Sequence, residues 1–379
     1  MNRFIYILAQ PNYFTEGDRG RVTHALGVID GLTSNNRYVT VITGEGFENF
    51  RGRFTKEQNS MITCVVVKAN ASKWYRELLV DFDDQLRTGA SKVEGVIVRY
   101  KSSKLRVLKD IAKRCKNRGV RSILELNSFY FSYNRVTLKE KIIKWVLKPL
   151  ELRTVGAFDY TYVVSVALQE VVKSANVATK VLAIPNAAKV RKVDQQYGES
   201  TVRLVYLGKL AEYYDLEGIV KATMSSQNVD MLKLAIYGDG VLMPKLKALA
   251  GTNNLIEFHG RYNNEKLHDI VSSPNDIFIL PYKANTVAEI GSPTKLFEYM
   301  SLKSPILTSD VGQAKHMVIE GQTGFIYRKE GDIFSIITRE LDTVEKRKAV
   351  AEAAYGDLIS NHTWSNRFKE FLSIVVDNE

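Results

Sequence analysis

Two cysteines in 379 residues, Cys64 and Cys115, are too few for a disulfide framework and cannot build a zinc site alone. With no export signal in view, both read as reduced residues of a cytoplasmic protein. Only eight prolines, with 24 glycines spread along the chain, exclude collagen-like and low-complexity architectures. Long apolar runs are missing too: none approaches the roughly 18 residues that span a bilayer. The opening MNRFIYILAQPNYF is broken at Gln10 and Pro11 and lacks a small-residue cleavage pattern, so it reads as a first β-strand. No His/Cys/Asp cluster has metal-ligand spacing, and no metal is expected. Acids are outnumbered, 42 against 53 bases, leaving a net charge of +11. That balance favours anionic partners such as phosphates, nucleic acids or an acidic lipid surface, without choosing among them. No aromatic-basic recognition motif supports nucleic acid.

What is present is a globular composition, 45% hydrophobic and 25% charged, in a chain too long for one core. Apolar runs of strand length recur, each followed by a helical pattern: Phe4–Ala9, Tyr38–Thr43, Thr63–Lys68, Gly95–Arg99, Arg121–Leu126, Tyr160–Ser165 and Val181–Ile184. A second series runs through Arg203–Leu207, Lys233–Tyr237, Ile256–His259, Asp276–Leu280 and Pro305–Thr308. Repeated βαβ units of this kind predict an α/β protein with two doubly wound parallel sheets. The seam falls in 186–200, which has no sustained periodicity. The first helix carries Val22, Ala25, Leu26, Ile29 and Leu32 on one stripe, after a loop containing Gly17 and Gly20. A glycine-bearing turn between strand and helix is where such sheets bind ligands.

The most informative segment is AEIGSPTKLFEYMSLKSPILTSD, residues 288–310. Gly291 allows close backbone approach, Ser292 suits an N-cap and Pro293 the first helical position, so a helix should begin there. Its amides and dipole make an anion site, in which Thr294 and Lys295 occupy the first turn. Lys295 opposes the dipole's own preference for acids, and a bound phosphate would resolve that misfit. Glu298 could take ribose hydroxyls. On local pattern alone, a plain capped helix with a solvated acid is an equal reading.

The whole segment resembles the signature of retaining family-four glycosyltransferases. RLVYLGK at 203–209 is similar to the strand and glycine turn that open the donor domain of that family, and LAIYGDGVLMPKL to its Gly-Asp-Gly strand end. GQTGFIY resembles its final strand, IPNAAKV its interdomain segment and HTWSNRFKEFL its C-terminal helix, while GRVTHALGVIDGL matches more weakly. The likeness is specific in 203–327 and thin before residue 180. It implies a GT-B fold of two Rossmann-like domains facing a central cleft: an acceptor-side domain over 1–186, a linker over 187–200, a donor domain over 201–360, and a helix over 361–379 returning to the first domain.

The resemblance also implies a function, transfer of a sugar from a nucleotide diphosphate to a glycan or lipid-linked acceptor, with retention, in bacterial cell-surface polysaccharide or glycolipid synthesis. A UDP-sugar is the expected donor, with no separate cofactor. Lys209, beside Gly208, falls where the family places a cation on the diphosphate, and Glu298 where it places the ribose acid. Gly238, Gly291, Ser292, Pro293, Thr294 and Lys295 complete the donor site. Three departures stand out. The family's second acid aligns with Ile290, leaving Glu289 one residue out of register. Its second cation aligns with Tyr214. Its acceptor-side histidine is absent, the strand RSILELN ending in Glu125 and Asn127. Gly20, His24, Glu125 and Asn127 are the acceptor-side candidates, although a lone helical histidine is more often structural. The departures keep two alternatives in play, a non-transferring relative such as a nucleotide-sugar 2-epimerase and a silent nucleotide-sugar-binding scaffold. Finally, KEKIIKWVLKPLELR at 139–153 mixes lysines with Ile142, Ile143, Trp145, Val146 and Leu147. It reads either as a packed helix with solvated lysines or as a helix on an anionic membrane surface.

Overall fold

The computed structural model describes residues 2–15, 19–70, 72–87, 92–128, 137–191, 193, 202–225, 232–262, 275–284 and 286–376. The chain forms two compact units, Met1–Asn186 with Trp364–Glu379, and Ala187–Thr363. Gly17 and much of the stretch proposed as a linker, residues 192 and 194–200, lie outside the described residues.

The first unit holds strands β1 (Asn2–Ile7), β2 (Tyr38–Thr43), β3 (Ile62–Val66), β4 (Lys92–Arg99), β5 (Arg121–Leu126), β6 (Tyr160–Val163) and β7 (Lys180–Ala183) in the order β3-β2-β1-β4-β5-β6-β7. The second holds β8 (Val202–Leu207), β9 (Leu232–Tyr237), β10 (Ile256–Gly260), β11 (Asp276–Leu280), β12 (Ile306–Ser309) and β13 (Phe325–Tyr327), ordered β10-β9-β8-β11-β12-β13. Among the described residues every pairing between these strands is parallel, so each pair needs a crossover, and helices supply it. Central strands are apolar along their whole length because both faces are covered: Phe4–Ile7, Val96–Val98, Leu204–Leu207 and Ile277–Leu280 are all buried. These are two doubly wound Rossmann-like sheets, the α/β architecture expected.

In each sheet the strand order reverses once, between β1 and β4 and between β8 and β11. Crevices at the carboxyl ends of strands at such reversals are where open α/β sheets take their ligands. The helix Arg19–Ser34 follows β1 and buries Val22, Ala25, Leu26, Ile29 and Leu32, the stripe read from sequence. Gly20, expected in the preceding loop, lies in the first turn of this helix, because helical geometry begins at Arg19. The opposite flank of the helix is cut away for the Trp364–Val375 helix: a Cβ on Gly27 would lie 2.0 Å from the Trp364 ring and one on Gly31 2.5 Å from Phe368. Trp364, Phe368, Phe371, Leu372 and Val375 are buried in that packing.

Candidate functional site

At the reversal point of the second sheet, β8 ends in Leu207 and the chain turns at Gly208, whose φ of 143° favours glycine. A side chain there is excluded for a second reason: its Cβ would sit 1.9 Å from Cε of Lys295. Gly238, with φ 144°, turns the end of β9 in the same way, and a Cβ on it would lie 1.8 Å from the Gly208 carbonyl. The two strand-end turns therefore touch backbone to backbone, tied by the Gly208 N–H donating to the Tyr237 carbonyl at 2.8 Å.

Lys295 reaches Gly208 from the helix Thr294–Ser301. That helix is anchored by Leu296, Phe297, Tyr299 and Met300, all fully buried, each contributing about 1.5–3 kcal/mol. The Tyr299 hydroxyl accepts from the Leu207 N–H at 3.2 Å and donates to the Leu207 carbonyl at 3.1 Å, fixing helix to strand end. Lys295 Nζ then donates to the Tyr214 hydroxyl at 2.8 Å and lies 4.2 Å from the centre of that ring. It also contacts the Tyr206 hydroxyl at 3.4 Å, and Tyr206 donates to the Lys209 carbonyl at 2.7 Å. Burial pushes the phenols of Tyr206, Tyr214 and Tyr299 well above their ordinary pKa, so they stay neutral hydrogen-bonding partners. Tyr214, aligned with the family's second cation, thus directly contacts the ammonium of Lys295.

Lys209 is exposed beside Gly208, and Glu298 is half-buried one turn beyond Lys295. Gly291, Ser292 and Thr294 are half-buried and Pro293 is buried. The expected cap is displaced by one residue. Pro293 is the N-cap, with ψ 86°, because the Thr294 N–H turns back to the Ser292 carbonyl at 3.0 Å before helical bonding starts. Ser292 is therefore not the capping residue, and Pro293 is not the first helical one. Glu289 is exposed on the short helix Thr286–Ile290, whereas Ile290 is buried.

The first unit places a different chemistry at its own reversal point. Glu125, near the end of β5, is fully buried and accepts from the Tyr6 hydroxyl at 2.5 Å, from Asn127 Nδ2 at 2.9 Å and from the Arg99 guanidinium at the end of β4. His24 Nε2 lies 3.1 Å from the same carboxylate without hydrogen-bond alignment, and Nδ1 is 2.6 Å from Asn186 Oδ1. Burial alone would raise the Glu125 carboxyl's pKa. The nearby Arg99 guanidinium and His24 ring, with the hydrogen bond from Tyr6, outweigh burial and hold it well below the carboxylate range. His24, Glu125 and Asn127 are thus brought together, whereas Gly20 is exposed in the first turn of its helix. Tyr6, Arg99 and Asn186 belong to this group yet escaped the sequence reading, although Asn186 lies in the quoted IPNAAKV segment. Asn127 Oδ1 is buried without a hydrogen-bond partner. Among the described residues no group of three or more His, Cys, Asp or Glu could hold a metal ion.

No curated protein matches the chain in sequence. Solved structures do match it in fold along nearly its whole length. HepE of Anabaena, in complex with UDP and glucose, is 10% identical with a TM-score of 0.66, covering 98% of each chain. A glycosyltransferase from Rickettsia africae is 13% identical with a TM-score of 0.68, over 100% of this chain and 99% of its own. S. aureus TarM, in complex with fondaparinux, alpha-GlcNAc-glycerol and UDP, is 8% identical with a TM-score of 0.66, over 99% and 100%. Residues 201–341, which hold every donor-side candidate, match the family model of glycosyl transferases group 1. The chain has the GT-B fold, and its second unit is the part that carries the group 1 glycosyl transferase match.

Proposed function

We propose that the protein transfers a sugar from a nucleotide-diphosphate donor to an acceptor hydroxyl, with the donor on the second unit. The observation that carries the reading is the placement of the Lys295 side chain over Gly208, beside exposed Lys209, at the strand-order reversal within the matched segment. Cleaving the bond between sugar and diphosphate leaves negative charge on the departing oxygen. Cations and amides fixed there before the reaction stabilise that charge with little reorganisation. Lys209 and Lys295, beside the Gly291–Thr294 loop, fill that role without calling for a metal, Glu298 holds the ribose, and Glu289 is the acid available to the sugar. The reading extends to a UDP-sugar donor, a hexosyl group, retention of configuration, and a glycan or lipid-linked acceptor of the cell surface. His24, Glu125 and Asn127 are then acceptor-side residues, Asn127 Oδ1 offering an acceptor atom to a sugar hydroxyl.

The test is incubation of the purified protein with a panel of nucleotide sugars, with and without lipid-linked acceptors, followed by product analysis. A glycosylated acceptor and released nucleoside diphosphate are expected, with the anomeric centre retained by NMR. An epimerised sugar formed without acceptor would indicate a 2-epimerase, and binding without turnover a scaffold. Glu298→Ala should raise the donor KM or abolish turnover while the Tm stays nearly constant. Unchanged activity would remove Glu298 from the site.

A further inference from the structure

The helix Leu138–Val155 carries more apolar surface than an ordinary surface helix, which confines it to an inward stripe: besides half-buried Ile143, Leu147 and Leu152 it shows a second apolar row to the outside. Twelve large apolar residues are exposed among the described residues, and five of them sit here: Leu138, Ile142, Trp145, Val146 and Leu150. At about 100° per residue they fall, with Pro149, within one sector of about 140°. Trp145 is 79% exposed and Leu138 75%, so these side chains stand clear of the unit rather than lining its edge. The helix is anchored at its C-terminal end. Glu151, Thr154 and Val155 are buried, and Glu151 accepts a hydrogen bond from Tyr100. Scattered apolar residues on a surface need no explanation, but a contiguous row on one helix does.

Charge selects the occupant. Lys141, Lys144 and Lys148 lie along one flank of the apolar sector and Arg153 follows within it, in a chain of net charge +11. A tryptophan in an apolar row bordered by lysines matches the boundary between acyl chains and anionic headgroups, the ring seated at the interface and the ammonium groups at phosphate level. Among the described residues no helix is long and apolar enough to cross a membrane, so the geometry is that of a helix lying on a bilayer. We propose that the exposed face of Leu138–Val155 docks the protein reversibly on an anionic lipid surface, with Trp145 as the inserted side chain. This docking stands on different residues from the sugar-transfer reading and can fail independently of it.

The experiment uses the intact chain and vesicles of phosphatidylcholine alone or mixed with phosphatidylglycerol. The protein has three tryptophans, and Trp74 and Trp364 are buried at 2% and 4% exposure, so a change in emission reports on Trp145. Expected are co-sedimentation with anionic vesicles, a blue shift with reduced quenching by acrylamide, and weakening as salt rises. Changing Lys141, Lys144 and Lys148 together to Glu should lower partitioning roughly a hundredfold or more, at about 1 kcal/mol per cation near the surface. Trp145→Ser should weaken binding while circular dichroism and thermal midpoint stay as in the wild type. Three outcomes would overturn the proposal: equal binding to neutral vesicles; anionic binding with no emission change and no effect of Trp145→Ser, which places the contact elsewhere; or no binding but a dimer that Trp145→Ser dissociates, which makes a second copy the occupant.

Discussion

The reversal points of the two sheets share a topology and differ in electrostatics. In the first unit the charge at the strand ends is a carboxylate, Glu125, fully buried and closed in by Arg99, Tyr6, Asn127 and His24. In the second unit the charges at the Gly208 turn are lysines, Lys209 exposed and Lys295 half-buried against tyrosine hydroxyls, while Asp239 at the neighbouring turn is paired with Arg261. A charge removed from water has to be compensated within the protein, as Glu125 is, whereas a cation at a solvent-facing turn remains available to an incoming anion. The fold sets where a ligand can sit, and the residues at the strand ends decide its sign.

The comparison breaks most sharply at Arg99. Arg99→Leu removes the cation from a fully buried carboxylate and should cost about 3–5 kcal/mol by urea denaturation, a loss that an exposed pair would not produce. Next comes the second unit. Lys209→Ala or Lys295→Met should lower kcat and kcat/KM together by about 2.7–4 kcal/mol of transition-state stabilisation, while the urea midpoint moves little. A change confined to KM would mean that the lysine binds ground and transition states equally.

Acid dependence sharpens the contrast. Because the Glu125 carboxyl is held below its unfolded pKa, its contribution is complete above the unfolded value of about 4.3 and is lost as pH falls through the depressed folded value. Glu125→Gln should cost about 1–3 kcal/mol at neutral pH and flatten the fall in stability below about pH 4. An unchanged acid limb would show that Glu125 is not ionised in the folded protein. The smallest effect is expected at Tyr214→Phe, which keeps the ring beside Lys295 and deletes one hydroxyl. About 0.5–1.5 kcal/mol should be lost, visible in kcat/KM rather than in Tm. A loss as large as that of Lys295→Met would make the hydroxyl itself part of the chemistry.

Twelve strands stand out in the sequence: the central ones as continuous apolar runs because both their faces are buried, and the part-exposed edge strands β3, β7 and β10 as shorter runs spaced by helical patterns. The thirteenth, Phe325–Tyr327, is three residues long and carries no period of its own, and only the likeness of GQTGFIY to a family segment marked it. Lys209 was singled out by the family resemblance, beside a glycine turn, and Lys295 by its place just after Pro293; the structure brings both to the Gly208 turn. The cap was misplaced by one residue because a local bond from Thr294 to Ser292 precedes the helix, a choice that propensity does not encode. The Glu125 group was half legible. His24, Glu125 and Asn127 were candidates, but Tyr6 lies 119 residues from Glu125 and Asn186 lies 162 from His24, separations that only the folded sheet closes.

Calorimetric titration with UDP, alongside GDP and ADP, tests the central claim most directly, because it asks which unit holds the donor's diphosphate without requiring the acceptor. Saturable binding of a nucleoside diphosphate is expected, weakened about tenfold or more by Lys295→Met and by Lys209→Ala, and unchanged within about twofold by Glu125→Gln at a temperature where that variant is folded. Binding that ignores both lysines but is lost with Glu125→Gln would place the nucleotide on the wrong unit and contradict the account.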